Sequence, residues 1–170
     1  EFSCPLNPDV ELFLKQQSIE FVKKHQAVTY LVLSSEDAVL LGYFSITIKP
    51  LVVNAEPFSN TVKRKLARFS EINKSEQTYN LAAYLIAQFG KNFNDNAIGR
   101  ITGEELLEAA IKQTQKLQYQ IGGMVAFVEA EDKEKLLSFY SRYGFKRFAA
   151  REAAPDTDKS HGLIQLLKMI

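Results

Sequence analysis

Apolar and polar residues alternate along the chain with periods that predict helices and strands in turn. An amphipathic pattern over Asp9–Lys24, with Asp9 as the N-cap, predicts a first helix. The β-rich run at 27–33 and the apolar run at 38–48 predict a β-hairpin closed by a short polar turn. Pro50 and Pro57 then bound a stretch that we expect to be less regular.

The second half of the chain alternates buried strands with helices. Its predicted elements are a helix at 61–69, a buried strand at 79–89, a helix from about 103, a buried strand at 122–130, a helix at 132–143 and closing strands at 145–150 and 162–170. A strand–helix–strand order implies at least one parallel pair with a crossover helix. Together with the hairpin, this order predicts a mixed α/β fold with helices on both faces of one sheet.

Composition narrows the class of protein. The chain has 170 residues, 46% apolar and 24% charged, which is typical of one globular domain and predicts a single domain over 1–170. It has no run of roughly 18 apolar residues, so we expect no membrane span. The N-terminal residues do not have the pattern of a signal peptide. A single cysteine excludes an intramolecular disulfide and fits a cytoplasmic protein.

Cys4 and the two histidines provide no recognisable catalytic or metal-binding motif. A thiol nucleophile needs a base held beside it, and neither His25 nor His161 lies in such a motif. These three side chains are also too few for a zinc site, so we expect no metal.

Charge is nearly balanced overall but unevenly distributed. The net charge of +1 argues against a strong nucleic-acid partner. One short segment nevertheless concentrates five cations, namely Lys63, Arg64, Lys65, Arg68 and Lys74. Two interpretations stay open: a solvated helix face, or a patch that contacts an anionic partner such as RNA.

The segment NAIGRITGEELLEAA at 96–110 combines glycines with the start of a helix. Thr102 as N-cap and Glu105 three positions later form the pattern of a capping box. A helix start exposes unpaired N–H groups, and glycines let an anion approach, so this loop is a candidate phosphate cradle. Glu104 and Glu105 would repel a phosphate, and we expect Arg100 to offset that repulsion. The alternative is a plain capping box after a loop.

A second motif, FYSRYGF at 139–145, ends the helix that follows the next strand. Tyr140 lies on that helix, and Gly144 is the expected C-terminal cap. In isolation this pattern is most typical of an aromatic core plug. In combination with the glycine loop, it carries a resemblance to a known family.

The order of apolar strand, glycine loop, capped helix, strand and helix ending FYxxxGF resembles the GNAT superfamily of acetyltransferases. The resemblance implies a mostly antiparallel sheet with one splayed parallel strand pair. The family loop has the pattern [QR]-x-x-G-x-[GA], on which Asn96 stands at the first position and Gly99 at the main glycine. Ile101 departs from the pattern, and Gly103 falls where many members have a further glycine or alanine.

The resemblance implies acetyl-CoA as co-substrate. Its pantetheine arm would enter between strands 82–90 and 122–129, and its pyrophosphate would bind backbone N–H groups of residues 98–104. The implied cofactor-binding residues are Phe89, Gly90, Lys91, Asn96, Ile98, Gly99, Arg100, Ile101, Thr102, Gly103 and Glu104. Tyr140 takes the position of the tyrosine that commonly protonates the departing CoA thiolate, a role that suits a phenol with a pKa near 10.

The implied acceptor is a primary amine, and three functions stay open. Glu129 and Glu131 are candidate bases, although an amine of low pKa needs none. Residues 2–46 loosely resemble a toxin-like GNAT branch, of which some members acetylate aminoacyl-tRNA, so charged tRNA is an alternative substrate. A non-catalytic module that binds CoA or a protein is the third interpretation, which Tyr140 disfavours. A homodimer is compatible with the sequence.

Overall fold

The computed structural model describes residues 1–151 and 162–170, which form a mixed α/β fold. None of the helices in these residues is both long enough and apolar enough to cross a lipid bilayer. The helices are α1 (Pro8–Leu12), a π-helical segment (Phe13–Gln17), α2 (Ser18–Lys23), α3 (Asn60–Leu66), α4 (Gly103–Ile121) and α5 (Glu134–Arg142). The strands are β1 (Val28–Leu33), β2 (Leu40–Asn54), β3 (Ile72–Asn73), β4 (Thr78–Lys91), β5 (Val125–Glu131), β6 (Lys146–Arg151) and β7 (Leu163–Met169).

The described strands form one mostly antiparallel sheet with a parallel pair, as the resemblance predicts. The strand order is β1-β2-β4-β5-β7-β6, and β3 pairs with β4. The parallel ladder of β4 and β5 joins Tyr84 to Ala126 and Leu85 to Phe127. Since α4 connects these two strands, β4–α4–β5 is the crossover unit that the alternating pattern predicts.

The chain divides into two compact units. The first unit comprises Glu1–Ile48 and Ile86–Ile121, and the second comprises Lys49–Leu85 and Gly122–Ile170. Both β2 and β4 therefore contribute residues to each unit. A single domain over 1–170 stays a prediction.

The core of the first unit is an aromatic cluster around Tyr43. The Tyr43 ring lies 5.2 Å from that of Phe2 in an edge-to-face arrangement, and its hydroxyl donates to the Val10 carbonyl at 2.5 Å. Two glycines allow close packing nearby. A Cβ on Gly90 would lie 2.4 Å from Val10 Cγ1, and one on Gly42 would lie 2.9 Å from the Gly90 carbonyl oxygen. Side chains at these positions would therefore displace a helix or a neighbouring strand.

The first helical region differs from its prediction in two respects. Asp9 is not the N-cap, because α1 begins at Pro8 and Asn7 occupies the cap without a side-chain hydrogen bond. Proline suits the first helical position since it has no N–H to leave unpaired. Asp9 lies in the first turn, where a carboxylate still interacts favourably with the helix dipole. A π-helical segment at Phe13–Gln17 then interrupts the predicted continuous helix.

The second unit has its own core, into which the C-terminal half of β2 packs. Pro50 does not begin an irregular stretch, because β2 continues through it to Asn54. Leu51 and Val53 are buried in this core while Val52 is exposed, so side chains keep the alternation of a strand. Proline is compatible with an extended backbone, and the burial of its neighbours overrides its punctuating role.

Candidate active site

The loop between β4 and α4 begins at Asn92, whose side chain is hydrogen-bonded to several segments of the first unit. Asn92 is 3% exposed, and its amide nitrogen donates to the carbonyls of Glu1 and Leu40 at 2.7 and 2.8 Å. Its amide oxygen accepts from the N–H groups of Ser3 and Asn94 at 2.9 and 3.0 Å. Asn92 is not predicted as a functional residue from the sequence, because a single buried amide has no local signal. Its side chain anchors the beginning of the candidate cofactor loop.

The loop then turns through Gly99. The N–H groups of Ala97 and Ile98 both donate to the Asn94 carbonyl, at 2.8 and 2.9 Å. Gly99 has φ +75°, a left-handed conformation that favours glycine. A Cβ added there would meet no atom of the protein within 4 Å. Glycine is therefore required here by the backbone conformation, and the side from which a ligand would approach is open.

The start of α4 is the predicted capping box. The Thr102 hydroxyl accepts from the Glu105 N–H at 3.1 Å, and the Glu105 carboxylate accepts from the Thr102 N–H at 2.8 Å. The bond from the Thr102 N–H lowers the pKa of Glu105, as does the Thr102 hydroxyl. Within the part of the chain that the structure describes, the N–H groups of Gly99, Ile101 and Gly103 have no hydrogen-bond acceptor. These three donors remain open for an anion.

Arg100 does not have the free charge that its predicted role requires. Its guanidinium forms a bidentate ion pair with Asp37, with N–O distances of 2.9 and 3.0 Å. The bond from Arg100 holds the pKa of the Asp37 carboxyl well below its usual range, and Asp37 in turn raises the pKa of Arg100. Because its charge is already paired, Arg100 is not the cation that offsets Glu104 and Glu105, which corrects the prediction.

Lys91 supplies the available cation beside this loop. Its Nζ donates to the Ile101 carbonyl at 3.3 Å and lies 5.4 Å from the centre of the Phe93 ring. Lys91 has no carboxylate partner among the described residues. The family resemblance implies that Lys91, together with Phe89 and Gly90, contacts the cofactor through its backbone. The structure adds that its side chain reaches the end of the loop.

Tyr140, in the second unit, is a buried phenol near the end of α5. It is 7% exposed, and its ring packs edge-to-face against Phe145 at 5.7 Å and against Phe139 at 5.2 Å. Burial raises the pKa of Tyr140 to about 12, so the phenol stays protonated at neutral pH. Its hydroxyl has no hydrogen-bond partner among residues 1–151 and 162–170. The Tyr140 ring thus packs in the core against Phe139 and Phe145, while its hydroxyl is available as a hydrogen-bond donor.

The end of α5 holds the Tyr140 backbone firmly. Gly144 has φ +82°, and its N–H donates to the Ser141 carbonyl at 3.0 Å. The Phe145 N–H donates to the Tyr140 carbonyl at 3.2 Å, which completes a Schellman motif. The predicted cap at Gly144 is therefore confirmed.

The candidate bases are engaged in side-chain contacts of the second unit. Glu129 accepts a hydrogen bond from the Gln165 amide at 2.8 Å. Glu131 forms an ion pair with Lys133 at 2.5 Å on the exposed surface. These contacts do not single out either carboxylate as the base, so both assignments stay predictions.

Cys4 lies in the aromatic core of the first unit and lacks the features of a nucleophile. Burial raises the pKa of its thiol, whereas a reactive cysteine needs a lowered one. His161, the second histidine considered, lies outside the described residues.

The five cations of the basic segment, Lys63, Arg64, Lys65, Arg68 and Lys74, belong to the second unit. α3 begins after Ser59, whose hydroxyl accepts from the Val62 N–H at 3.4 Å, and it buries Leu66. None of the five cations has a carboxylate partner among the described residues. Phe69, in the same segment, is 59% exposed. The basic segment is thus an unpaired cationic surface with an exposed aromatic ring.

Comparison with known proteins identifies the fold. By sequence, the chain matches no protein-family model and no curated protein. By structure, it is similar to AtaT in complex with acetyl-methionyl-tRNAfMet, with a TM-score of 0.65, 16% identity, and coverage of 96% of this chain and 84% of AtaT. It is also similar to a tyrosine-to-phenylalanine mutant of AtaT bound to acetyl-CoA and the C-terminus of the antitoxin AtaR (TM-score 0.60, 16% identity, 99% and 82% coverage). A tyrosine-to-phenylalanine mutant of KacT has a TM-score of 0.65, 20% identity and 97% and 85% coverage. These neighbours are GNAT-fold toxins, so the predicted fold is confirmed.

Proposed function

We propose that this chain is an N-acetyltransferase that transfers the acetyl group of acetyl-CoA to a primary amine. The observation that carries the proposal is the set of open N–H groups at Gly99, Ile101 and Gly103, where α4 begins. A helix start with unpaired amides suits a diphosphate because both the donors and the helix dipole favour negative charge. Support comes from the shared fold with AtaT, which has been seen with acetyl-CoA.

In this proposal the first unit binds the diphosphate of the cofactor. The three open N–H groups donate to phosphate oxygens, and the Lys91 ammonium supplies the positive charge that Arg100 does not. The left-handed turn at Gly99 lets the phosphates approach the backbone without meeting a side chain. Glu105 opposes binding through its charge, but the capping box holds its carboxylate against Thr102. Contacts of pantetheine with the backbone at residues 89–91 stay a prediction.

Tyr140 is the proposed proton donor. As the amine attacks the thioester carbonyl, the C–N bond forms, the C–S bond breaks, and the electron pair of the broken bond goes to sulfur. We assign Tyr140 to donate its phenolic proton to that sulfur, because the phenol is protonated at neutral pH and its hydroxyl has no hydrogen-bond partner among the described residues. The attacking nitrogen loses its proton to solvent or to a base, for which Glu129 stays a candidate.

The test begins with the wild-type protein. Calorimetry measures binding of acetyl-CoA and CoA, and thiol release measures turnover with panels of small amines, peptides and charged tRNA. We expect acetyl-CoA binding in the micromolar range and turnover with at least one acceptor class. No binding at millimolar acetyl-CoA would overturn the proposal. Binding without turnover on any acceptor would support a non-catalytic CoA-binding module instead.

A second candidate function is acetylation of the amino group of aminoacyl-tRNA. The observation in its favour is the unpaired basic segment with Phe69 exposed beside it, because cations bind phosphates and aromatic rings stack on bases. The structural neighbour AtaT has been seen with acetyl-methionyl-tRNAfMet. The α-amino group also has a pKa near 8, so it needs no strong base.

Charge reversal separates the two candidates. Replacing Lys63, Arg64 and Lys65 together by Glu should lower activity on charged tRNA by about 100-fold or more and reduce its salt dependence. Activity on a small amine should be unchanged. Replacing Lys112 and Lys116 on α4 by Glu changes the net charge in the same direction, by −4 against −6 in the triple variant, and serves as the control. Full tRNA activity at moderate salt in the triple variant would assign the basic segment to a solvated surface.

A further inference from the structure

The turn between β1 and β2 is tightly built from its own residues. The Ser34 N–H donates to the Val39 carbonyl at 2.9 Å, and the Ala38 N–H donates to the Ser34 carbonyl at 3.0 Å. The Asp37 carboxylate accepts from the Val39 N–H at 3.3 Å, and the Ser34 hydroxyl accepts from the Glu36 N–H at 3.2 Å. These bonds fix the orientation of the Asp37 carboxylate and the Ser34 hydroxyl.

Arg100 joins this turn to the candidate cofactor loop within the first unit. One guanidinium nitrogen, Nη1, donates to Asp37 Oδ2 at 2.9 Å and to the Asn96 carbonyl at 3.1 Å. The other, Nη2, donates to Asp37 Oδ1 at 3.0 Å and to the Ser34 hydroxyl at 2.9 Å. The planar fork of Arg thus makes four bonds at once, which a Lys ammonium would not reproduce.

The bond to Asn96 has a particular consequence for the loop. Asn96 is the first residue of the loop motif, and Arg100 follows Gly99, so the Arg100 side chain closes the loop around its glycine. Gly99 is the residue with the greatest backbone freedom in this stretch, and its Cβ position contacts nothing. The conformation of Gly99 is therefore restrained by its neighbours: the Arg100 N–H donates to the Ala97 carbonyl at 3.1 Å, and Asp37 holds the Arg100 side chain.

We infer that Asp37 is a positioning residue for cofactor binding, with Ser34 as its accessory. By holding Arg100, it keeps residues 96–103 in the conformation that presents the N–H groups of Gly99, Ile101 and Gly103 together. A loop that is ordered before binding does not lose conformational entropy on binding, so its affinity is higher. This inference rests on the proposed function of the loop as a diphosphate site.

The alternative is an ordinary surface ion pair, since Asp37 and Arg100 are 48% and 31% exposed. Such a pair contributes little to stability, and its loss would not affect one ligand selectively. The two interpretations therefore differ in what the loss of Asp37 changes. A positioning role predicts weaker binding of ligands that have the diphosphate, whereas a surface pair predicts no selective effect.

The experiment uses Asp37→Ala, with Glu36→Gln as a matched control in the same turn. Calorimetry should show the Kd for acetyl-CoA rising about five- to tenfold in Asp37→Ala, while Glu36→Gln stays within twofold. At saturating acetyl-CoA, kcat should be unchanged in both variants. With acetyl-pantetheine, which lacks the diphosphate, KM should be the same as in the wild type. Asp37→Glu should recover part of the lost affinity.

Two outcomes would overturn the inference. An unchanged Kd in Asp37→Ala would show that the pair does not position the loop. An equal loss with acetyl-CoA and acetyl-pantetheine would show general damage rather than a diphosphate-specific effect. Absence of acetyl-CoA binding in the wild-type protein is a different result, because it would overturn the proposed function itself.

Discussion

The start of α4 and the end of α5 are both helix termini with a left-handed glycine nearby, yet they differ in the hydrogen bonding of their backbone polar groups. At α4, Gly99 has φ +75° and the N–H groups of Gly99, Ile101 and Gly103 find no acceptor among the described residues. At α5, Gly144 has φ +82° and its Schellman motif pairs the last carbonyls with N–H donors. One terminus is left open and the other is closed.

The start of α4 is therefore a candidate site made of backbone N–H groups, whereas the end of α5 is a candidate site made of one side chain. In the proposed function the open terminus would bind its ligand through main-chain donors, so affinity should depend on backbone conformation and local charge more than on any one side chain. The closed terminus pairs the Tyr140 and Ser141 carbonyls through its Schellman motif, and what it presents is the hydroxyl of the buried Tyr140. Substitutions at the two termini should therefore affect different constants, affinity at α4 and kcat at α5.

The largest expected effect is that of Tyr140→Phe. It removes the hydroxyl while retaining the ring that packs on Phe145, so the fold should be preserved. We expect kcat to fall about 100-fold, the usual range for loss of a general acid, with the Kd for acetyl-CoA within twofold. Tyr143→Phe, in the same aromatic cluster, is the control and should keep kcat. Stopped-flow measurement of thiol release checks this, and an unchanged kcat would remove Tyr140 from the mechanism.

Gly99→Glu should have the next largest effect. A non-glycine residue is strained at φ +75°, and the added carboxylate would repel phosphates. We expect the Kd for acetyl-CoA, measured by calorimetry, to rise about twentyfold or more. Gly122→Glu is the matched control, since Gly122 has φ +80° and also has no atom within 4 Å of its Cβ position. If both variants bind acetyl-CoA equally well, the loop assignment is wrong.

Lys91→Gln should have a moderate effect on affinity. It removes the ammonium that lies 3.3 Å from the Ile101 carbonyl, so one cation is lost beside the open N–H groups. We expect the Kd for acetyl-CoA to rise about three- to fivefold at low salt, with a smaller difference at high salt. Lys112→Gln, on the exposed face of α4, should change nothing. Titrations at two ionic strengths measure this, and a loss that is independent of salt would contradict the electrostatic role.

The smallest expected effect is an increase in the affinity for acetyl-CoA, in Glu105→Gln. Glu105→Gln keeps a side-chain acceptor for the Thr102 N–H, because glutamine also serves in a capping box, but it removes a negative charge from the helix start. We expect acetyl-CoA to bind about twofold more tightly, with a small change in Tm. Glu108→Gln, one turn along the same helix, should show less improvement. Weaker binding in Glu105→Gln would mean that its carboxylate stabilises the loop more than it repels the ligand.

Local sequence patterns predicted the two helix termini correctly. Thr102 with Glu105, and Gly144 after an aromatic helix, are signals in which the residues that bond to each other lie within a few positions. The parallel β4–β5 pair followed from the order of elements, which chain connectivity restricts strongly. Tyr140 was found by resemblance, and the structure adds that it is buried, with no partner for its hydroxyl among the described residues.

Contacts between distant positions were not predictable in this way. Arg100 pairs with Asp37, 63 positions earlier, and nothing near either residue indicates the other. Asn92 could not be predicted because a single buried amide has no periodic signal, although its side chain binds Glu1 and Leu40, which lie 91 and 52 positions earlier. Pro50 was misread because the burial of Leu51 and Val53, a tertiary effect, decides the conformation there.

The close packing at Gly42 and Gly90 implies that glycines in this chain are required for two different reasons, close packing at some positions and ligand access at others. A saturation mutagenesis library scored for folded abundance in cells should reject substitutions at both positions, since a Cβ at either would come within 3 Å of another atom. The same library should tolerate Gly99 substitutions better by that score, because no atom lies within 4 Å of the Gly99 Cβ position and only the backbone strain at φ +75° opposes them. A score for acetylation, the proposed activity, should instead reject Gly99 substitutions. The two scores would then separate glycines required for packing from glycines required for ligand binding.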